Sequence, residues 1–511
     1  MILGDPNAPH IEASGRLTID DLFRRAAARR PDAIALSDPP NRSDFTDGGP
    51  RTLTYAQANH AISAIAGRLR RLGLAADAVV ALHLPNTVES VLTLLGVLRA
   101  GLIAAPLPLL WRRKDAAAAL ARVGARAIVT MSRVGQTDYS SIAMTVAADV
   151  FPIRYVCSFG DSIPDGVIPF EDLLVPAPLL ETELLPVREG NPADHVAIVT
   201  FELTPSGLIA VGRSHAELMA GGQAVVLESG LPADADLLSC CAANSFAGLA
   251  SGLLPWLMTG GRLALHHAFS SDAFAAQCRD STAVVVPAVL ASRIAKAGLM
   301  VNSGLQNVIA LWRAPERLAV SEPWPHPKVR LIDVLAFGET AVICGRRSAS
   351  GIPVDLPLGP TSATREASGA VAETTVTLAG TLAVRGEMVP RHAFPPGAER
   401  ARQPFLGADP LGFVDTHFPC RADRTNSTVE LMGPPTGIVN VGGYRFRLDD
   451  LNALASSLGD VTLTVLPEAL SGHRLAGVAT DRTAVLQELE AIGHNPLIAA
   501  AFQTQRRSEA A

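Results

Sequence analysis

Residues Leu53–Leu107 read LTYAQANHAISAIAGRLRRLGLAADAVVALHLPNTVESVLTLLGVLRAGLIAAPL, and this stretch decides the fold class. Ala58, Ile62, Ile65, Leu69 and Leu72 recur at helical spacing over Leu53–Gly73. The helix is expected to stop at Gly73, after arginines that suit a helix C-terminus. AVVALHLPN, Ala78–Asn86, is a strand running into a turn, and TVESVLTLLGVLRAG is a second helix closed at Gly101 and followed by a short strand. ARAIVT, Ala125–Thr130, is the next strand. Strand and helix alternate, as in an α/β fold built on parallel sheets.

A second α/β set follows over about 190–345, with strands in AIVTF, DLLSCCA, RLALH, AVVVP, NVIALW and VRLIDVLAF. Over 346–432 the pattern changes to short strands with Gly/Pro turns, the mark of a small β-rich subdomain. The expected organisation is a large domain, 1–432, comprising α/β subdomains at about 1–189 and 190–345 plus the β-rich part. A shortened α/β lobe, 433–511, completes it, joined through the turn-rich MGPPTGIVNVGGYRF, Met432–Phe446.

Composition narrows the function classes. The chain has 511 residues, 48% hydrophobic and 18% charged, with a net charge of −6, which describes a well-buried globular protein. There is no basic footprint for nucleic acid and no polybasic membrane patch. The apolar stretches Val91–Leu110 and Phe246–Gly261 are interrupted by Arg99 and prolines, so buried elements are expected and not membrane spans. MILGDPNAPHIEASG has neither the basic start nor the apolar core of a signal peptide. Cys157, Cys240, Cys241, Cys278, Cys344 and Cys420 show no metal-ligand spacing and read as core residues in a reducing, cytoplasmic compartment. His266-His267 reads as a surface pair, and no metal site is expected.

TFELTPSGLIAVGRSHAEL, Thr200–Leu218, occupies the place of a phosphate-binding loop between a strand and a helix, but lacks the residues for the task. It has no lysine, Pro205 removes a backbone N–H, and Glu202 would repel phosphate. Thr204, Ser206 and Gly207 remain as a degenerate anion loop, against an ordinary turn that binds nothing.

The order of segments resembles the adenylate-forming enzymes: acyl-CoA synthetases, adenylation domains of peptide synthetases and luciferase. The opening stretch carries the resemblance, with RSHAEL, AGLASGLLPWLMTGGRLAL, AFGETA, GTLAVRG, GFVDT and GIVNVGGYRF. The resemblance implies ATP and Mg²⁺ as cofactors, an acyl-adenylate formed from a carboxylic acid, and a thiol such as CoA as the next acceptor. An acyl thioester is the corresponding alternative ligand. It also assigns residues. The loop lysine falls on Ile209 and its proline on Leu208. Phe337-Gly338-Glu339-Thr340-Ala341 stands for the aromatic-Gly-x-Thr-Glu motif, placing alanine at the Mg²⁺ position. Asp415 and Thr416 mark the ribose segment. The charged hinge becomes Gly433-Pro434-Pro435-Thr436-Gly437, where paired prolines stiffen a joint that moves in the family.

The lysine expected near the C-terminus is missing, because nothing after GGYRF contains one. Trp312 and Arg313 fall where family members carry glycines, which implies a filled pocket floor. Arg213 and Arg313 are candidate substitute cations. Asn244, Ser245, Phe246 and Gly248, with Trp312, are the acyl-pocket candidates, and their low charge suits an apolar or aromatic acid. Two readings follow: a synthetase/ligase relative with impaired adenylation, or a pseudo-enzyme that binds an acyl ligand or a partner protein.

Overall fold

The computed structural model describes residues 16–176, 189–301, 304–361, 371–390, 393–395 and 406–503. The stretch 1–15, read above for a leader, lies outside them. The helix expected over Leu53–Gly73 forms as Tyr55–Arg71. Thr54 caps it, accepting from the Gln57 N–H while the Gln57 side chain returns to the Thr54 N–H. Helix Val88–Arg99 lies beside it and is buried at nearly every position. Gly96 allows the close contact, since a Cβ there would come within 2.6 Å of Ile65 Cγ2. Glu89 inside this helix is tolerated because Arg42 and Arg51 pair with it at 2.8 and 2.7 Å.

These helices lie between two large sheets. The first runs in the order Gly207–Ser214, Val196–Thr204, Ile103–Pro106, Val79–His83, Ala127–Met131, Tyr155–Phe159 and Ile168–Pro169. The second runs Ala341–Arg346, Arg330–Phe337, Asn307–Trp312, Ala283–Pro287, Leu237–Ser239, Leu263–Leu265, Ile34–Ser37 and Thr52–Thr54. Their interiors are parallel and their antiparallel pairs lie at the edges. The expected division near residue 189 is not respected. Ile34–Ser37 crosses into the second sheet beside Leu263–Leu265, and Val196–Ser214 crosses into the first beside Ile103–Pro106. Strand pairing over such distances leaves no local signature in the sequence.

The β-rich part is a six-stranded sheet with Val414–Asp423 near its centre. After the turn containing Gly433, Pro434, Pro435 and Gly437, the C-terminal lobe is a four-stranded sheet in the order Tyr444–Arg447, Ile438–Val441, Gly472–Ala479 and Val461–Glu468. Helices Leu448–Ser457, Arg482–Ile492 and Pro496–Ala500 complete it, and Phe502 packs where a Cβ on Gly477 would stand. No helix among the described residues is long and apolar enough to cross a membrane.

Candidate functional site

The segment Thr200–Leu218 is neither an open loop nor a simple strand-to-helix turn. Val196–Thr204 and Gly207–Ser214 pair antiparallel to their ends, with Thr204 opposite Gly207, and only Pro205 and Ser206 lie between them. Gly207, at φ +125°, permits the reversal. The Thr204 hydroxyl donates to the Gly207 carbonyl at 2.9 Å and lies 2.9 Å from Ser206 Oγ, so the polar side chains of the tip serve the turn itself. Ser214 then caps the helix His215–Ser229 in a capping box with Glu217. Ile209 points into the core at 1% exposure.

Beside the hairpin, the turn Gly338–Thr340 joins Arg330–Phe337 to Ala341–Arg346. Glu339 therefore lies in the turn, between the paired strand ends Phe337 and Ala341. Its carboxylate accepts the Phe246 N–H at 2.7 Å. Burial pushes Glu339 up to about 7, with Arg213 acting in the opposite direction and Glu202 reinforcing the rise. Glu202 accepts the backbone N–H of Glu339 and pairs with Arg445 of the C-terminal lobe. Ala341 is fully buried.

The two candidate cations separate. Arg213 is buried under the turn, donating to the carbonyls of Glu339 and Thr340, with its guanidinium carbon 3.8 Å from the Phe246 ring centre. Burial lowers it to about 10, against the pull of Glu339, Glu217 and Glu202. Arg313 instead lines a cleft of about 610 Å³ between the N-terminal body and the C-terminal lobe. It donates to Asn244 Oδ1 and Ser245 Oγ, both at 3.3 Å.

Trp312 faces away from that cleft. Its indole donates to Asp333 at 2.8 Å, and Asp333 is ion-paired with Arg347 at 2.8 Å. The filled pocket floor expected from Trp312 is thus not what its side chain makes: adjacent strand residues point to opposite faces. Asn244 and Ser245 reach the cleft, whereas Phe246 and Gly248 pack behind it. A Cβ on Gly248 would come within 2.1 Å of the Ala242 carbonyl oxygen.

Asp415 and Thr416 lie on a bulge of Val414–Asp423. The Asp415 carboxylate accepts the His417 N–H at 2.8 Å, and the Thr416 hydroxyl donates to the Leu382 carbonyl at 2.7 Å. The space enclosed by Asp415, Thr416, Phe337, Thr340, Thr204 and Pro205 is about 10 Å³.

Several cleft residues carried no signal in the linear sequence. Lys114 comes from the helix Arg113–Val123 and stands 3.3 Å from His494 Nε2 of the C-terminal lobe. Asp115, beside it, is raised to about 6 by burial. The Tyr444 hydroxyl accepts the Leu110 N–H at 3.4 Å. Trp111 and Phe201, with ring centres 5.6 Å apart, form an aromatic wall. The chain's lysines are Lys114, Lys296 and Lys328, and that scarcity marks the cleft lysine only in retrospect.

His266-His267 is not a surface pair: His266 is 1% exposed and 2.7 Å from Gln277 Oε1, and His267 packs on Phe45. Cys240 and Cys241 lie in the core, where burial raises both thiols. No group of three or more His, Cys, Asp or Glu side chains among the described residues could hold a metal ion.

Residues 23–201 match the AMP-binding enzyme family. A segment of 277 residues is 29% identical to long-chain fatty acid transport protein 1 of Bos taurus, covering 53% of this chain and 40% of that protein. The match thus spans less than half of that relative's length. The amide bond synthetase McbA of Marinactinospora thermotolerans superposes with a TM-score of 0.68 at 17% identity, covering 94% of each chain. The o-succinylbenzoate CoA synthetase of Bacillus subtilis gives 0.67 at 12% identity, covering 94% of this chain and 93% of that one. The chain thus shares the fold of these two synthetases over nearly its whole length. In sequence, the match to AMP-binding enzymes runs from the first helix into the strand that opens the hairpin.

Proposed function

We propose that this protein holds an organic carboxylic acid, or its thioester, in the cleft between its lobes and does not adenylate it. The carrying observation is what bounds the space: the cleft of about 610 Å³ lies in front of Arg313 and against the hairpin residues Phe201, Leu203 and Leu208, while only about 10 Å³ lies between the hairpin tip and Asp415–Thr416. A triphosphate with its metal needs free N–H donors, a cation and a carboxylate anchor. The hairpin tip is closed on itself, alanine stands at the metal position, and the negative Glu202 lies where a phosphate would need a donor. The residues present do not fit ATP and Mg²⁺.

In this reading Arg313, held by Asn244 and Ser245, receives the carboxylate, and Trp111, Phe201, Leu208 and Leu451 supply an apolar wall. A guanidinium with no carboxylate partner among the described residues is matched to a planar anion. The aromatic pair favours an aromatic acid. The competing reading, activation of an acid by ATP, is favoured by the match of residues 23–201 to AMP-binding enzymes.

Calorimetry decides between them. Folded protein is titrated with ATP and Mg²⁺, then with a panel of benzoic and cinnamic acids and their CoA thioesters. No heat at millimolar ATP, together with binding of one acid class, is expected. ATP binding in the micromolar to low-millimolar range with acid-dependent pyrophosphate exchange would overturn the proposal and establish an active ligase.

A further inference from the structure

Glu202 is 7% exposed, and both of its carboxylate oxygens are engaged from outside its own hairpin. Oε2 accepts the Glu339 N–H, and Oε1 accepts from Arg445 Nη1. The turn is shaped to admit the carboxylate. Gly338 has φ +57°, and a Cβ there would come within 2.0 Å of Glu202 Oε2, so a side chain at 338 would displace the carboxylate from this position.

Arg445 arrives from the C-terminal strand Tyr444–Arg447, with its guanidinium carbon 5.3 Å from the Phe418 ring centre. Phe418 in turn meets Phe337, one residue before the turn, edge to face at 5.5 Å. The ion pair is largely removed from water, with side-chain exposures of 14% for Arg445 and 8% for Glu202. A turn N–H, a guanidinium on an aromatic platform and a glycine that allows close approach are the parts of an oxyanion site.

We propose that the Gly338–Glu339 turn and Arg445 form an oxyanion site whose permanent occupant is the Glu202 carboxylate, and that this built-in anion holds the C-terminal lobe on the N-terminal body. Glu202 lies 243 residues from Arg445 in sequence, and the pair joins the central hairpin to the lobe. Other ties across the same junction include the Lys114 N–H donating to the Gly493 carbonyl at 3.1 Å and Arg317 donating to the Leu470 carbonyl at 3.0 Å. Glu202 differs from these in placing a charge in an enclosed site. Glu202, Gly338, Glu339 and Arg445 also line the cleft, so the latch is tested without a cleft ligand present.

Truncating the plug tests it. Glu202→Ala leaves room for a small carboxylate, so formate is the probe, with sodium chloride at equal ionic strength as control. The variant is expected to show a saturable rise in Tm of roughly 2 °C or more at about 100 mM formate. Wild type and the Glu202→Ala/Arg445→Ala double variant should not respond. Equal responses from wild type and single variant, or an undiminished response from the double variant, would overturn the site. If Glu202→Ala does not fold, Glu202→Gln decides, because the amide keeps the shape and removes the charge. Small-angle scattering should then show a larger radius of gyration as the lobe is released, and an unchanged value refutes the latch.

Discussion

Arg313 donates to Asn244 Oδ1 at 3.3 Å inside the cleft between body and lobe, and no carboxylate among the described residues pairs with it. That makes it the strongest test of ligand binding. Arg313→Ala should weaken the affinity for a bound acid by about 10- to 100-fold, the worth of a charged hydrogen bond of about 1.5–3 kcal/mol. Arg313→Lys should recover only part, because an ammonium cannot reproduce the planar fork. Calorimetry of both variants against the acid found for wild type checks this.

Trp312, its chain neighbour, should behave oppositely. Its indole serves the buried Asp333, so Trp312→Phe removes one hydrogen bond and costs about 1 kcal/mol of stability. Acid affinity should stay unchanged. A loss of affinity larger than threefold would place Trp312 in the cleft after all.

Asp333 itself carries more. It accepts from Trp312 and from Arg347, with both members of the ion pair 3% exposed. Asp333→Ala leaves the Arg347 charge buried without compensation, and a loss of about 3–5 kcal/mol is expected from the shift in the urea midpoint.

Glu339 predicts a pH dependence of definite sign. Its folded pKa is raised from the ordinary 4.5 to about 7, chiefly by burial. Between those values the folded state binds more protons than the unfolded state, so this group's contribution falls as pH rises through that window. It is fully favourable below about 4.5. Above about 7 the cost reaches a few kcal/mol at most. Glu339→Gln should flatten the decline of stability between pH 5 and 7 in denaturant titrations at stepped pH.

Gly493 lies at the junction of the lobe and the body. It has φ +75°, and a Cβ there would come within 2.7 Å of Arg113 Cβ. Gly493→Ala should cost about 1–3 kcal/mol through backbone strain and crowding, measured by thermal unfolding. The exposed Gly459, also left-handed at φ +82° but with open space around it, is the matched control and should show only the strain.

Much of the architecture was legible locally. The helix around Ile62 and Ile65 and the strand at Ala127–Met131 follow from apolar periodicity, because burial of one face is written into the spacing of neighbours. The hairpin was not legible. Pro205-Ser206 reads as a loop, and its two-residue length depends on Val196–Thr204 and Gly207–Ser214 pairing along their whole length. Glu202 was visible as a residue hostile to phosphate, but its partner Arg445 lies far along the chain and has no sequence mark.

The sequence by itself determined which residue types stand at the positions compared above. Alanine at 341, isoleucine at 209 and a C-terminal region without lysine are covalent facts that no folding changes. Tertiary structure alone decided what stands in those places. It turned Trp312 toward Asp333 and Arg313 into the cleft, buried Arg213 under a turn, and brought Glu202 to Arg445. Side-chain direction on a strand and pairing between distant segments are set by the packed whole, so residues that look equivalent in line receive opposite surroundings.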